Sequence, residues 1–321
     1  MLRVWSPAGT ELAAVDEVED VGALKLHLRE CHGFPVSMQS LLLEGSCLED
    51  SSKLESGDLQ LVLGPPSGAL SRQVAELVDC SEVGDIEPVR HLLGSGLDAD
   101  VTYNGWSPLT SAAFQGHAEL VQVLLAAGAA VDYREGCHGT PLVHACRGSS
   151  VEVVKLLIDA RASTEQAIVA AAAKGYGKIL RLLVDAKGNV NERSVLGWSA
   201  LTLACDRGET DMIGLLLELG ADKERRDGLS RTALLCACGK GHAEAARRLL
   251  EARASTSYTP SRWPMEGSTP LTLAAHEGHI DVVRLLLEAR VNAKQPNRDG
   301  RSPVACAAER GHEEILRLLE A

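Results

Sequence analysis

The chain has 321 residues, of which 45% are hydrophobic, 24% are charged and 3% are aromatic, and its formal net charge is −12. Nucleic acid and anionic membranes are poor partners for such a chain, because phosphate groups are bound by concentrated Lys and Arg. No apolar run approaches the roughly 20 residues that cross a bilayer, and no signal-peptide pattern follows Met1. We therefore expect a cytoplasmic or nuclear protein.

Residues 1–64 predict a small domain in which two strands precede a helix and two strands follow it. The helix, over residues 21–31, carries apolar residues at the three- and four-residue spacing of a helix packed on one face. Gly33 is expected to end it, because glycine adopts the left-handed conformation at low cost, and Pro35 prevents its continuation. An apolar run of three leucines and a last strand at residues 59–63 complete the domain.

The segment from Gly33 to Asp50, together with Leu59 to Leu63, resembles the ubiquitin-like family. The resemblance implies an α+β domain of the β-grasp fold. It also implies an apolar patch on the sheet that receives ubiquitin-binding helices, with Leu42 and Val62 at the family's positions. An alternative stays open, because three consecutive leucines cannot all face one side of a strand, and one patch residue could therefore be core.

A different pattern begins after residues 65–70, whose Gly, Pro and Ser residues indicate a linker. An apolar residue recurs at intervals of about 33 residues, followed seven positions later by a small residue and, in every unit but the first, three positions later by Ala. Each interval predicts two helices, and a helix pair can bury its apolar stripe only by stacking on its neighbours. The recurring apolar residues are Leu77, Leu109, Leu142, Ile168, Leu201, Leu234, Leu271 and Val304.

The stretch from Ser268 to His279, which reads STPLTLAAHEGH, and the stretch from Gly105 to Val121 resemble the ankyrin repeat. The resemblance covers residues 71–321 with about eight units, counting a cap at each end. It implies an all-α solenoid in which each unit has a β-hairpin finger before two antiparallel helices. The whole chain is therefore expected to be multidomain, a β-grasp domain followed by an ankyrin-repeat array.

Three departures from the repeat pattern stand out. The unit at Ile168 lacks the Thr-Pro-Leu entry and therefore its finger, and the finger before Leu271 is longer by about four residues. The position after the second helix calls for a left-handed residue, which costs about 1 kcal/mol when that residue is not Gly. In four units it is basic: Arg161, Lys187, Arg253 and Arg290.

Residues that could serve catalysis or metal binding have structural explanations. Four histidines recur directly after the repeat glycine, where in the ankyrin family they tie the turn to backbone groups. Cys146, Cys205 and Cys238 share one small, buried repeat position, which favours a packing role over the alternative of a zinc site. No phosphate loop, metalloprotease helix, kinase signature or nucleophile elbow is found. We expect no enzymatic activity, no cofactor and no metal.

The array is expected to bind a client protein on its concave face, through the fingertips and the exposed side of the first helices. The hypothesis assigns an acidic, partly apolar client segment to Phe114, Arg147, Lys174, Arg207 and Trp263. Aromatic and Arg side chains are favoured because they dominate binding energy at interfaces. Trp263 lies inside the long finger, where no packing demand shared by the repeats explains it. The alternative is that Trp263 folds back onto its own loop with Pro260 and Pro264.

Two functions from different classes fit the sequence. In the first, the chain is an interaction adaptor whose array recruits a client and whose ubiquitin-like domain docks on a ubiquitin receptor or the proteasome. In the alternative, it is a structural or inhibitory ankyrin scaffold, and the N-terminal domain is only a folded cap on the first repeat.

Overall fold

A computed structural model describes residues 2–6, 8–15, 18–43, 46–54, 57–63, 70–134, 139–257 and 267–320. The chain divides into two compact units, Met1–Ala162 and Ser163–Ala321. In the described residues the first unit has a small sheet domain and three helix pairs, and the second has five helix pairs. The predicted linker falls outside the described residues up to Leu70, which begins a helix.

The small domain is a five-stranded sheet with one α-helix packed on it. The strand order is β2-β1-β5-β3-β4, in which β1 and β5 are parallel and the other neighbours are antiparallel. The elements are β1 (Leu2–Trp5), β2 (Glu11–Val15), α1 (Val21–His32), a short 3₁₀ helix (Val36–Met38), β3 (Gln39–Leu43), β4 (Ser46–Cys47) and β5 (Gly57–Leu63).

Local signals place the helix of this domain. The Asp20 side chain accepts the Ala23 N–H at 2.8 Å and caps the start of α1. Gly33 ends the helix in the left-handed conformation, with φ of 70°, so that part of the prediction is confirmed. Leucines and valines on one side of α1 then meet the inner face of the sheet, and the most deeply buried are Val4, Val21, Leu24, Leu28 and Leu41.

The helix pairs follow one another along the rest of the chain. In the first unit they are α2 (Leu70–Val83), α3 (Ile86–Gly94), α4 (Pro108–Gln115), α5 (Ala118–Ala126), α6 (Pro141–Gly148) and α7 (Val151–Asp159). In the second unit they are α8 (Ala167–Ala173), α9 (Gly177–Asp185), α10 (Ala200–Arg207), α11 (Thr210–Glu218), α12 (Ala233–Lys240), α13 (Ala243–Glu251), α14 (Pro270–Glu277), α15 (Ile280–Glu288), α16 (Pro303–Arg310) and α17 (Glu313–Glu320).

The same local chemistry begins and ends most pairs. Six first helices start at a Ser or Thr whose hydroxyl accepts the N–H three residues on, and these are Ser107, Thr140, Ser199, Thr232, Thr269 and Ser302. After the second helices, the four predicted left-handed basic residues have φ of 64°, 66°, 60° and 59°, in the order Arg161, Lys187, Arg253 and Arg290. That prediction is confirmed.

The helix without a finger, α8, is capped from a distance. Its N-cap, Gln166, is left-handed with φ of 65° and its side chain forms no capping hydrogen bond. Instead, Oε1 of Glu192 accepts the N–H of Ile168 at 3.2 Å, and its carboxyl also accepts backbone hydrogen bonds from Gln166 and Val169. A carboxyl 24 residues later thus replaces the local Ser or Thr cap.

We expect Glu192→Ala to destabilise the chain by about 1 kcal/mol, because the N–H groups at the start of α8 lose their acceptor. Glu192→Gln retains an acceptor and is expected to have a smaller effect. Urea unfolding measures both changes, and Glu288→Ala, at an exposed carboxylate of α15, is the control. A loss no larger for Glu192→Ala than for Glu288→Ala would contradict the capping role.

The difference in stability between Glu192→Gln and the natural chain depends on pH, and the direction of that dependence follows from the pKa of Glu192. Burial raises the pKa of Glu192 above the ordinary value, more than its backbone hydrogen bonds lower it. A raised folded-state pKa gives stability that is fully present below the unfolded pKa and is lost as the pH rises through the folded pKa. The stability of Glu192→Gln relative to the natural chain should therefore increase as the pH rises above about 4.3, the ordinary pKa of a Glu carboxyl.

Candidate protein-binding surfaces

The two residues predicted to form a docking patch lie on one face of the small sheet. Leu41 and Leu61 pair across β3 and β5 and point into the core, with exposed fractions of 0% and 1%. Leu42 and Val62 are the next residues along each strand, so their side chains point to the opposite face, and both are partly exposed. The ladder makes them diagonal neighbours, about 7–8 Å apart. We call Leu42 and Val62 the sheet patch.

The helical side of the small domain packs on the first helix pair. Both oxygens of the Glu76 carboxylate, on α2, accept backbone N–H groups, from Val36 at 2.6 Å and from Ser37 at 2.7 Å. Arg29, near the end of α1, lies 3.2 Å from a carboxylate oxygen of Asp85. Because these contacts use α1 and the 3₁₀ helix, the sheet patch lies on the opposite side of the domain.

Phe114 does not stand alone on α4. Its side chain is 37% exposed, and its ring lies 5.7 Å from that of Trp106, which in turn lies 4.9 Å from the buried His144 ring. Tyr103 and Trp106 exchange backbone hydrogen bonds of 3.0 Å at the finger before α4. The Tyr103, Trp106 and Phe114 rings border a cavity of about 200 Å³, which we call the aromatic cavity. Its lining residues are Val78, Asp79, Glu82, Tyr103, Asn104, Trp106, Ser111, Phe114 and Gln115.

Sequence reasoning did not foresee the two acidic residues of the aromatic cavity, Asp79 and Glu82. They belong to α2, one repeat before Phe114, and reach the cavity only because α2 and α4 pack side by side. The repeat register held a signal, since Glu82 is five residues after Leu77 just as Phe114 is five after Leu109. Two carboxylates beside Phe114 favour a cationic ligand there rather than an acidic one.

The other predicted client-binding residues are divided between the two units. In the first unit Arg147 is exposed in the last turn of α6, where a cation interacts favourably with the helix dipole. In the second unit Nη1 of Arg207 donates to the carbonyl oxygen of Ala173, directly before the exposed Lys174. Lys174 and Arg207 thus lie together at the ends of α8 and α10. Trp263 lies outside the described residues.

A buried ion pair in the second unit is a feature that sequence reasoning missed. Arg231, 7% exposed, donates from Nε to the Asp227 carboxylate at 2.7 Å, and Asp206 lies 3.6 Å from its Nη1. Its guanidinium carbon is 4.4 Å from the Trp198 ring centroid, within cation–π range. Trp198 therefore packs on the next finger, and in the first unit Trp106 likewise reaches His144 of the next repeat.

The recurring histidines are structural, as predicted. His117 Nε2 donates to the Glu82 carbonyl oxygen at 2.8 Å, and His242, His279 and His312 each make the same contact with the preceding repeat at 3.1 Å. The histidines therefore join consecutive helix pairs through the backbone.

The repeat cysteines are buried, as their shared position predicted. Cys146, Cys205 and Cys238 are 0% exposed. Burial raises the pKa of the Cys205 and Cys238 thiols and brings that of Cys236 to about 12. The thiolate is the nucleophile and the metal ligand, so these neutral thiols are unreactive packing groups.

No group of three or more His, Cys, Asp or Glu side chains in the part of the chain that the structure describes could hold a metal ion. Nor does any described helix have the length and apolar character of a membrane span.

Stacked helix pairs with fingers, four of them joined to the preceding pair by a histidine, define a helical-repeat protein. The family model for ankyrin repeats matches residues 77–168, 167–261, 224–293 and 259–320. The chain therefore belongs to the ankyrin-repeat family. Ankyrin repeats are generally non-enzymatic modules that bind protein partners, and the array accordingly has a protein-interaction role.

Similar proteins share only part of their length with this chain. The Caenorhabditis elegans ankyrin repeat and KH domain-containing protein mask-1 is 37% identical over 117 residues, which are 34% of this chain and 4% of that protein. Human ankyrin repeat and SOCS box protein 11 is 34% identical over 107 residues, 32% of this chain and 33% of that protein. The probable E3 ubiquitin-protein ligase XBOS33 of Oryza sativa is 39% identical over 94 residues, 28% of this chain and 18% of that protein.

Proposed function

We propose that the chain is an interaction adaptor, in which the ankyrin array holds a client protein and the N-terminal domain docks on a ubiquitin receptor or on the degradation machinery. The proposal rests chiefly on the sheet patch. Leu42 and Val62 are partly exposed apolar side chains on the face opposite α1, while the contacts with the array use α1 and the 3₁₀ helix. The domain can thus pack on the first repeat and still present this face to a partner helix.

The assignment of this domain to the β-grasp fold of the ubiquitin-like family belongs to the same proposal. It is supported by the sheet order, with the first and last strands parallel and adjacent, and by the single α-helix packed on one face after β2. The name of one similar protein, a probable E3 ubiquitin-protein ligase, agrees with a connection between such arrays and ubiquitin.

A structural scaffold with a folded N-terminal cap is the second candidate. It is favoured by the two backbone N–H groups held by Glu76 and by the close approach of Gly33 to α3, where an added Cβ would lie 2.4 Å from the Glu87 Cβ. These contacts protect the first helix pair, as a cap must. The two candidates differ in whether the sheet patch binds anything.

Titration of the full chain with a ubiquitin-interacting helical peptide, followed by NMR, separates them. We expect shifts at the methyl groups of Leu42 and Val62, and at least a tenfold weaker affinity in the double variant Leu42→Ala, Val62→Ala, because apolar burial supplies the binding energy. Leu43→Ala, at an exposed leucine next along β3, is the matched control and should bind normally. Equal affinity of the double variant and the natural chain would contradict the adaptor and leave the structural scaffold with a folded N-terminal cap as the remaining candidate.

The proposed client contacts lie on the fingers and first helices, and each of the two compact units contributes its own set of residues. In the second unit Lys174 and Arg207 offer two cations to an acidic segment, with Trp263 from the long finger as its apolar anchor. In the first unit Phe114 and Arg147 lie on neighbouring helices, because Gly148, next to Arg147, packs on the Phe114 backbone.

A further inference from the structure

Three of the ten Phe, Tyr and Trp residues of this chain border one small cavity of the first unit. Tyr103 and Phe114 are 39% and 37% exposed, which is unusual for large rings that have apolar neighbours available. Trp106 is held between Phe114 and the buried His144, so its ring is fixed before any ligand arrives. A rigid aromatic wall open to solvent is a typical feature of a binding site.

The charge of the aromatic cavity is negative. Asp79 and Glu82 line it from α2, and its described lining residues include no Lys, Arg or His. Glu82 accepts only a long hydrogen bond, 3.4 Å, from the Gln115 amide, and Asp79 has no ion-pair partner among the described residues. Both carboxylates are exposed and available to a ligand.

The size of the cavity limits its occupant. Its volume of about 200 Å³ is below the roughly 300–1,000 Å³ of small-molecule sites, so it fits a single side chain. Rings attract a cation through their faces, and a carboxylate pair attracts it through charge. A planar guanidinium uses both, since it stacks on a ring and forms paired hydrogen bonds with a carboxylate.

We propose that the aromatic cavity binds one arginine side chain from a basic, extended segment of a partner protein. The guanidinium stacks on Trp106 and Phe114 and donates to the carboxylates of Asp79 and Glu82. The inference rests on the proposed role of the array in client binding and specifies the charge of the client at the first unit.

The test is a titration of the full chain with an N-acetylated, C-amidated nonapeptide of Gly and Ser that carries one central arginine. We expect a saturable NMR shift of the Trp106 indole and the Phe114 ring. The same peptide with citrulline, which has the shape of arginine without its charge, should bind at least tenfold more weakly. Equal binding of the two peptides would overturn the proposal, and equal binding of a lysine peptide would overturn the assignment to arginine.

Variants locate the binding. We expect the double variant Asp79→Asn, Glu82→Gln and the single variant Phe114→Leu each to weaken arginine-peptide binding by about tenfold. The double variant Glu119→Gln, Glu152→Gln removes the same charge from exposed positions on α5 and α7 and should bind normally. Thermal unfolding of each variant confirms that the fold is intact. If both double variants weaken binding equally, the attraction comes from net charge and the cavity is not the site.

The outcome is independent of the experiment on the sheet patch. The helical peptide tests binding at Leu42 and Val62 only, and the arginine peptide tests binding at the aromatic cavity only. Loss of the second signal with retention of the first removes this inference and leaves the adaptor proposal in place.

Discussion

Asp227→Ala is expected to destabilise the chain by about 3–5 kcal/mol, the largest effect of any substitution considered for this protein. The variant leaves Arg231, a residue that is 7% exposed in the natural chain, without its nearest counterion, and an uncompensated buried charge is strongly unfavourable. It also removes the acceptor of the Leu229 and Arg231 N–H groups, which Asp227 Oδ1 binds at 2.9 Å and 2.7 Å, so the finger before α12 loses two of the hydrogen bonds that hold its turn.

Urea unfolding of two further variants tests this explanation. Asp206→Ala removes a more distant and more exposed carboxylate, 3.6 Å from Arg231, and should have a much smaller effect. In the double variant Asp227→Ala, Arg231→Met no charge is left buried, so part of the loss should be recovered. If Asp227→Ala and Asp206→Ala are equally mild, the ion pair does not stabilise the finger.

Gly148→Ala is expected to have the second-largest effect, a destabilisation of about 1–3 kcal/mol. A Cβ at this position would lie 1.8 Å from the carbonyl oxygen and 2.8 Å from the carbonyl carbon of Phe114. Both are backbone atoms of the neighbouring helix α4, so no side chain can rotate away, and α4 and α6 must separate. Because Phe114 lies at this contact, we also expect the variant to displace its ring from the aromatic cavity.

The matched control is Gly94→Ala at the last residue of α3. An added Cβ there meets no atom within 4 Å, and φ at Gly94 is not in the left-handed region. Alanine in a helix is more favourable than glycine by up to about 1 kcal/mol, so Gly94→Ala should be neutral or stabilising. A Gly148→Ala chain as stable as the Gly94→Ala chain would show that the two helices can move apart without loss.

Several features of this molecule were predictable because they depend on residues close together in the sequence. The Ser or Thr hydroxyl that begins a first helix bonds an N–H three residues away, as at Ser107 and Thr269. The left-handed residue after a second helix is required by the helix end itself, so Arg253 and Arg290 could be assigned although they are not glycines. The burial of alternate residues in β3 and β5 follows from the twofold period of a strand.

Other features needed the tertiary structure. Glu192 caps a helix that begins 25 residues earlier, and Asp79 of the preceding helix pair lines the same cavity as Trp106. Nothing in the local sequence marks such partners, since many exposed acids of this chain occupy similar surroundings. Only the packing of one helix pair on the next decides which of them lie within a few ångströms of the same group.

By itself, then, the sequence determined the repeat, the helix boundaries, the unit without a finger and the structural roles of His117 and Cys205. The tertiary structure decided which side chains share a site. It placed two carboxylates next to Phe114 and buried Arg231 against Trp198 of the preceding repeat. The physical reason is the range of the interactions involved. Caps and helical stripes are set by neighbours within one or two turns, whereas charge and ring contacts are set by side chains about one repeat apart, which meet only when the helix pairs stack.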